Sequence, residues 1–427
     1  MTASMIHEEA TPDRPQPVSV RGERSASLDF IRGIAVMGIL AANIFSMGQP
    51  FTAYMYPEAF TTGHSDAEDW MWAAQLVLID GKMRGLFTIL FGAGLYLFME
   101  KAWGKGASRW LQVKRLLWLG AFGLIHFYLI WRGDILFSYA VSGFIAVLLF
   151  INVSARNQLI LGILGYIAGG IFYAIGMIFM QVTADGPEPD SAAMNQVRSE
   201  FIKAAETDLA DGRAETAIRQ EGTYLQFVSH TIDEHGTDPL VNVWLVVFET
   251  LPLMLIGMAL YRLGLFGGGW NPRSQRLWGW VGLAVGGALT TIIALRTMDG
   301  GFTYYGVLAA FLGWSHFPRL LMTLGLAALL ALYVPRAGNW IGDRISAAGR
   351  TAFTNYIGTS LVMLMVFGNW GFDLFGQLGR GELYLVVFAA WIAMLAWSQP
   401  WLVRFRYGPL EWLWRCLTYG KVFALRQ

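Results

Sequence analysis

The chain has 427 residues, 55% hydrophobic and 14% charged, with a net charge of +1. That balance places it in the helical membrane class and leaves no electrostatic case for a nucleic-acid partner. A lone cysteine, Cys416, excludes an internal disulfide and any cysteine-rich metal site.

Residues 1–27 are polar, hold acidic residues and three prolines, and contain no apolar run. They are expected to form a disordered cytosolic tail rather than a secretory signal. A spanning helix needs about 20 largely apolar residues. Ten segments qualify: 28–48, 83–99, 113–131, 134–152, 157–181, 240–264, 276–296, 315–334, 351–368 and 383–403. Residues 302–314 are also apolar, and Pro318 is expected to separate them from the eighth span as an interfacial or re-entrant piece. The fold class is therefore all-α, a polytopic helical membrane protein with both termini inside. Its membrane domain covers 28–420 and is followed by a short tail, 421–427.

Basic residues support that orientation. Lys101, Lys105, Arg109, Lys114 and Arg115 cluster on the inner side, as do Arg344 and Arg350, then Arg404, Arg406, Arg415 and Lys421. The short outer loops hold far fewer. Two outer segments are long. Residues 66–80 read as an amphipathic helix lying on the membrane, and residues 182–239 as a hydrophilic outer cap to which no chemistry is assigned.

Several residues carry potential chemistry. Asp29 and Arg32 share one helix face at the start of the first span; they either set helix depth at the interface or build a site within the membrane. His64, near Asp66, Glu68 and Asp69 in the first outer loop, reads on composition as a solvated histidine. Lys82 and Arg84 sit at the outer mouth of the second span, as snorkelling anchors or as an anion clamp. His126 falls roughly 9 Å inside the outer boundary, counted at ~1.5 Å per residue. The turn Arg132-Gly133-Asp134 can return Asp134 towards it. A carboxylate that orients an imidazole suits general-base catalysis, whereas an N-cap for the next helix is the plainer role of Asp134.

His230 and His235, beside Asp233 and Glu234, read as solvated cap residues, so no metal is expected. His316 is left unassigned. In GRTAFTNYIGTS (349–360), Thr351, Asn355 and Thr359 form one helical stripe, with Arg350, Thr354 and Tyr356 nearby; such stripes line helix contacts or wet cavities. Glu411 and Arg415 are spaced for an ion pair on an amphipathic inner-leaflet helix, whose aromatic, basic surface suits a nucleotide-bearing donor. Gly165-xxx-Gly169 and Gly282-xxx-Gly286 permit close helix packing.

The segments LDFIRGIAVMGILAANI, GKMRGLFTILFGAG, GLIHFYLIWRGDILFSYAVSG, GRTAFTNYIGTS and RYGPLEWLWR occur in this order. Together they closely resemble the YeiB-like family of bacterial inner-membrane proteins, from Ser27 to Gly420. The first-helix pattern also resembles the broader transmembrane acyltransferase superfamily. That likeness implies acyl transfer from cytosolic acyl-CoA to a hydroxyl or amine acceptor at the outer side, and by analogy a homodimer among membrane lipids. In the O-acyltransferase branch a histidine follows the first-helix arginine after ten intervening residues; here Arg32 matches, but Asn43 stands in the histidine's place. In the heparan-type branch the catalytic histidine lies in the outer loop after the first helix, as His64 does. His126 belongs to the YeiB-like pattern itself.

The resemblance thus implies His126 as base, oriented by Asp134, with His64 as rival. Asp29, Arg32 and Asn43 would support an acyl channel, and Arg350 and Arg415 the donor. A transporter or channel for a small solute or lipid, and a non-catalytic membrane partner, are the competing readings.

Overall fold

The computed structural model describes residues 23–333 and 339–427. Most of the expected N-terminal tail, and Arg336 among the basic residues expected on the inner side, therefore lie outside the described residues. Among the described residues there is no β-sheet; a single bridge pairs Phe405 with Arg426.

All ten apolar segments are helices, with ends close to those expected. The chain runs through α1 (Glu23–Gly48), α2 (Asp66–Leu78), α3 (Lys82–Trp103) and α4 (Trp110–Leu129). It continues with α5 (Leu136–Ile145), which ends in a π-helical stretch to Phe150, and α6 (Ala155–Ala184). The cap is a helix pair, α7 (Ala192–Glu221) and α8 (Tyr224–His235). Next come α9 (Asp238–Arg262), α10 (Pro272–Asp299), the short α11 (Tyr304–Leu308) and α12 (His316–Tyr333). The last four are α13 (Trp340–Arg350), α14 (Ala352–Phe367), α15 (Arg380–Arg404) and α16 (Pro409–Tyr419). Five of these helices meet length and hydropathy criteria for crossing a membrane: α1, α6, α10, α12 and α15.

Residues 302–314 separate from α12 as expected, but the break falls at Ser315 rather than Pro318. Pro318 lies in the first turn of α12, where the amide it lacks would have no helical partner. Upstream of it, Ala309–Trp314 adopts π-helical geometry.

Small residues set the crossings. A Cβ on Gly169 would fall 2.6 Å from the Phe248 carbonyl oxygen, and one on Gly282 2.6 Å from that of Leu321. Both glycine motifs therefore sit where backbones nearly touch, α6 on α9 and α10 on α12. The tightest crossing joins α1 to α13: a Cβ on Gly349 would lie 1.7 Å from the Asp29 carbonyl oxygen. The main core gathers around α1, with Ile44, Phe45, Met99, Val147 and Phe367 fully enclosed.

The helix α2 does not simply lie on a membrane surface. Trp72, Ala73, Gln75 and Leu76 are buried, and the Trp72 indole donates to the Met55 carbonyl at 3.0 Å. Its charged first turn is also used: Glu68 accepts from the Arg380 amide at 2.6 Å. The sequence shows the amphipathic period, but not that protein rather than lipid covers the apolar face.

The cap pair sits on one end of the bundle. Glu215 accepts from the Phe51 amide at 3.1 Å just beyond α1, and Asp208 from the Tyr304 hydroxyl at 2.7 Å at the start of α11. The N-terminal turns of α1, the last turn of α15 and all of α16 lie at the opposite end, termed here the basic end.

Candidate functional site

At the basic end a cavity of about 980 Å³ opens between α1, α3, α4, α14 and α16. Arg32 donates to Asp29 at 2.9 Å across one turn of α1, and both side chains face the cavity. The α1–α13 contact at Gly349 then delivers Arg350 to the rim, where it is exposed. Arg415 stands over the rings of Phe423, Tyr407 and Tyr419, 4.7 to 5.2 Å from their centroids.

Sequence reasoning missed two further arginines here. Arg115 is held between Phe98 and Trp414, 4.1 and 4.5 Å from the ring centroids. Arg406 is exposed at the mouth. Both fall in basic segments counted only as topology signals. Five arginines thus line the cavity against two acidic side chains, Asp29 and Glu411. Glu411 has a task that its spacing from Arg415 does not reveal. It accepts from the amides of Phe353 and Thr354 at 2.8 and 3.1 Å and from the Thr354 hydroxyl at 2.5 Å. A carboxylate from α16 therefore closes the first turn of α14.

Farther in, the walls become apolar. The α3 lining runs from Phe98 back to Phe87, about 17 Å of helix at 1.5 Å per residue. Tyr139 and Tyr356 lie at that deep end. The cavity therefore has a cationic, aromatic mouth and an apolar shaft.

Behind Tyr356 stands His126. Its Nδ1 is 2.9 Å from Asp134 Oδ1, and both side chains are inaccessible to solvent at 0% and 1% exposure. Asp134 Oδ2 accepts from the Phe137 amide at 2.8 Å, so the same carboxylate caps α5 and holds the imidazole. Gly123 allows this approach, because a Cβ there would fall 2.4 Å from the Phe137 nitrogen. His126 Nε2 is buried and makes no hydrogen bond. The Tyr356 ring lies 5.1 Å from the imidazole, centroid to centroid, and its hydroxyl accepts from the Ile135 amide at 3.4 Å. His126 does not line the cavity; one tyrosine ring separates the two.

His64 is not a solvated loop residue. Its Nδ1 lies 2.6 Å from Asp69 and its Nε2 2.9 Å from Glu58. Burial opposes its protonation, but hydrogen bonds to Glu58 and Asp69 outweigh burial and raise its pKa. With both nitrogens engaged by carboxylates, the ring offers no free lone pair to a substrate.

Other expected site residues are committed elsewhere. Lys82 is buried and donates to the Leu76 carbonyl at 2.5 Å. Arg84 pairs with Glu249 at 2.6 Å, and Arg319 reaches the other oxygen of that carboxylate at 3.3 Å. Neither Lys82 nor Arg84 is a snorkelling anchor, and the clamp at Arg84 already holds a protein carboxylate. Glu249 was legible as a single acid within an apolar span, which membranes rarely tolerate without a partner. His316 packs on the Tyr166 ring at 4.0 Å.

Asn355 donates to Ala348, Thr351 and Ser398 and accepts from the Trp397 indole at 2.9 Å. It joins α14 to α15 and is not part of the lining of this cavity, so its place in the stripe is a helix contact. Thr354 serves Glu411, and Asn43 also lies outside the cavity lining. Of the expected binding residues, the cavity gathers Asp29, Arg32, Arg350, Tyr356, Glu411 and Arg415.

Residues 260–421 match a family model described as "Protein of unknown function (DUF418)". The chain is 32% identical over 405 residues to an uncharacterized protein, YeiB, of Escherichia coli (strain K12), covering 93% of this chain and 96% of that protein. It belongs to the YeiB-like family. A Bacillus subtilis (strain 168) protein, YxaH, also uncharacterized, is 29% identical over 418 residues, covering 94% of this chain and 96% of its own length. The family-model match takes in Arg350, Arg406, Glu411 and Arg415 at the cavity mouth, while the alignments with YeiB and YxaH extend over nearly the whole YeiB-like chain.

Proposed function

We propose that this YeiB-like protein is an acyl-CoA-dependent acyltransferase of the bacterial inner membrane. The observation that carries the reading is the cavity, whose arginine-rich mouth and apolar shaft match an anionic headgroup joined to a long, uncharged arm that carries the thioester and its acyl chain inwards. Positively charged aromatic mouths favour phosphates and stacked bases, since guanidinium pairs with phosphate and aromatic faces take up a base. By the positive-inside rule this mouth faces the cytosol, where acyl-CoA resides.

His126 is the base in this account. Asp134 holds Nδ1, so the tautomer that leaves a lone pair on Nε2 is favoured. An acceptor hydroxyl or amine gives its proton to Nε2 as its oxygen or nitrogen bonds to the thioester carbonyl carbon. The carbon–sulfur bond then breaks, and the CoA thiolate leaves and takes up a proton. Tyr356 must turn aside for the acyl carbonyl to reach His126.

A second reading is transport of an anionic amphiphile. Tyr139 favours it: this residue lines the shaft while its hydroxyl contacts Thr88 at 2.5 Å and the Arg84 carbonyl at 3.3 Å. It therefore joins the cavity to the backbone of Arg84, whose side chain belongs to the Arg84–Glu249–Arg319 cluster.

Turnover separates the two. Purified protein in nanodiscs, given palmitoyl-CoA and a panel of hydroxyl and amine acceptors, should release free CoA thiol at a rate that depends on the acceptor. His126→Ala should lower that rate by ~100- to 10,000-fold with acyl-CoA affinity intact. Thiol release that never exceeds background, alongside uptake of the intact ligand into vesicles, would favour transport.

A further inference from the structure

The cap holds a second constellation. Asp211 on α7 faces His230 and His235 on α8, and ligand atoms from all three lie within 4.8 Å of one another. We propose that these residues form a site for a divalent transition metal, with zinc the best match to two imidazoles and one carboxylate.

Geometry supports the proposal. His230 Nε2 is 3.1 Å from Asp211 Oδ1, and His235 Nε2 is 3.2 Å from Asp211 Oδ2. Tetrahedral ligands at zinc-like bond lengths stand about 3.3 Å apart. The two imidazole rings meet nearly at right angles, 5.8 Å between centroids. His230 Nε2 is buried and makes no hydrogen bond despite its proximity to the carboxylate. His235 Nδ1 is 3.1 Å from Asp238 Oδ2. A carboxylate on the far nitrogen fixes the tautomer and aims the Nε2 lone pair inward, the usual outer-shell device of histidine metal ligands.

A protein cation now answers this charge. Arg132 Nη1 contacts His235 Nε2 and lies 3.1 Å from Asp211 Oδ2. Arg132 also has somewhere to go: Glu215 Oε2 is 3.2 Å from its Nη2, and the Phe51 ring lies 4.4 Å beneath its guanidinium. A metal would take the place of Nη1 and leave Arg132 on Glu215. It would also clamp α7 to α8 over the end of the bundle where Asp134 follows Arg132 by two residues.

The test is zinc titration of the full chain, purified in detergent on a histidine-free tag and stripped with EDTA. Calorimetry should show one zinc ion per chain, and Co²⁺ should give the absorption of a tetrahedral site. His230→Gln should abolish both signals. Asp238→Asn should weaken zinc binding about tenfold or more. Arg132→Gln should strengthen it severalfold by removing the competing cation, an outcome that a damaged fold would not give. No stoichiometric zinc in the wild type, affinity unchanged by His230→Gln, or weaker binding in Arg132→Gln would each overturn the proposal. If His230→Gln does not fold, the wild-type cobalt spectrum and the Arg132→Gln shift decide alone.

Discussion

Tyr356 forms part of the cavity wall and stands 5.1 Å, ring to ring, from His126 behind it. A single side chain thus divides a cavity with a cationic mouth and an apolar shaft from a buried Asp–His pair. Tyr356→Phe should keep the wall and most activity. Tyr356→Ala should open His126 to the shaft and to water, so that acyl-CoA is hydrolysed without acceptor. Removing a buried aromatic ring should also cost about 3–5 kcal/mol of stability. Thiol release in acceptor-free buffer is the readout, and an Ala variant no leakier than wild type would mean that Tyr356 is not the barrier.

The α1–α13 crossing should tolerate no side chain at Gly349. A Cβ there meets the Asp29 carbonyl oxygen at 1.7 Å, a backbone atom that cannot step aside. Gly349→Ala should push α13 from α1 and displace Asp29, Arg32 and Arg350 together. Loss of acyl-CoA binding together with a lowered melting temperature is expected; Gly358→Ala, where a Cβ meets no atom within 4 Å, is the control. Equal behaviour of the two variants would refute the role given to this contact.

Glu249 should be the most sensitive acid in the bundle. It is buried and shared by Arg84 and Arg319. Glu249→Gln would leave both guanidinium groups without their carboxylate, at a cost of about 3–5 kcal/mol. Expression and thermal stability should fall sharply, and Glu249→Gln with Arg319→Met should recover part of the loss. A Glu249→Gln protein as stable as wild type would show that water or lipid phosphate neutralises the arginines.

His64 should make the outer loop pH-sensitive. Its pKa is raised in the folded protein, because the hydrogen bonds it donates to Glu58 and Asp69 outweigh burial. The stabilisation is therefore complete below the unfolded value of about 6.5. It is lost as pH rises through the higher folded value, with a total of about 1 kcal/mol for such a partly exposed pair. Amide exchange over residues 57–69 should be slow in acid and quicken towards alkaline pH beyond the intrinsic dependence. His64→Gln should remove the difference. A wild type and variant that keep the same gap at every pH would place the proton elsewhere.

Much of this architecture is legible in the sequence. The ten apolar segments all appear as helices, five of them long and apolar enough to cross a membrane, and Asp29–Arg32 is local enough for helical spacing to reveal. His126 and Asp134 are joined across the short connection 130–135, so the chain itself brings them together. The remainder depends on tertiary approach. Nothing local tells that Glu411 reaches Thr354, which precedes it by 57 residues. Arg115 and Arg406 look identical to the arginines that merely orient a membrane protein. Asn355 reads equally as a helix contact or a cavity residue until Ser398 and Trp397 arrive from α15 to satisfy it. The histidines of the cap look solvated because Asp211, their partner, comes from the preceding helix of a pair.

The central claim is that the arginine-lined cavity binds an acyl-CoA, and equilibrium binding tests it most directly. Fluorescent palmitoyl-CoA should bind the purified protein with an affinity that falls as salt is raised. Palmitate alone should compete poorly. Arg350→Gln and Arg415→Gln should each weaken binding about tenfold or more, consistent with the loss of a charge-assisted contact of about 1.5–3 kcal/mol, and the exposed Arg350→Gln variant should keep a melting temperature near wild type. Binding that is absent, equally strong for palmitate, or indifferent to both arginines would contradict the account.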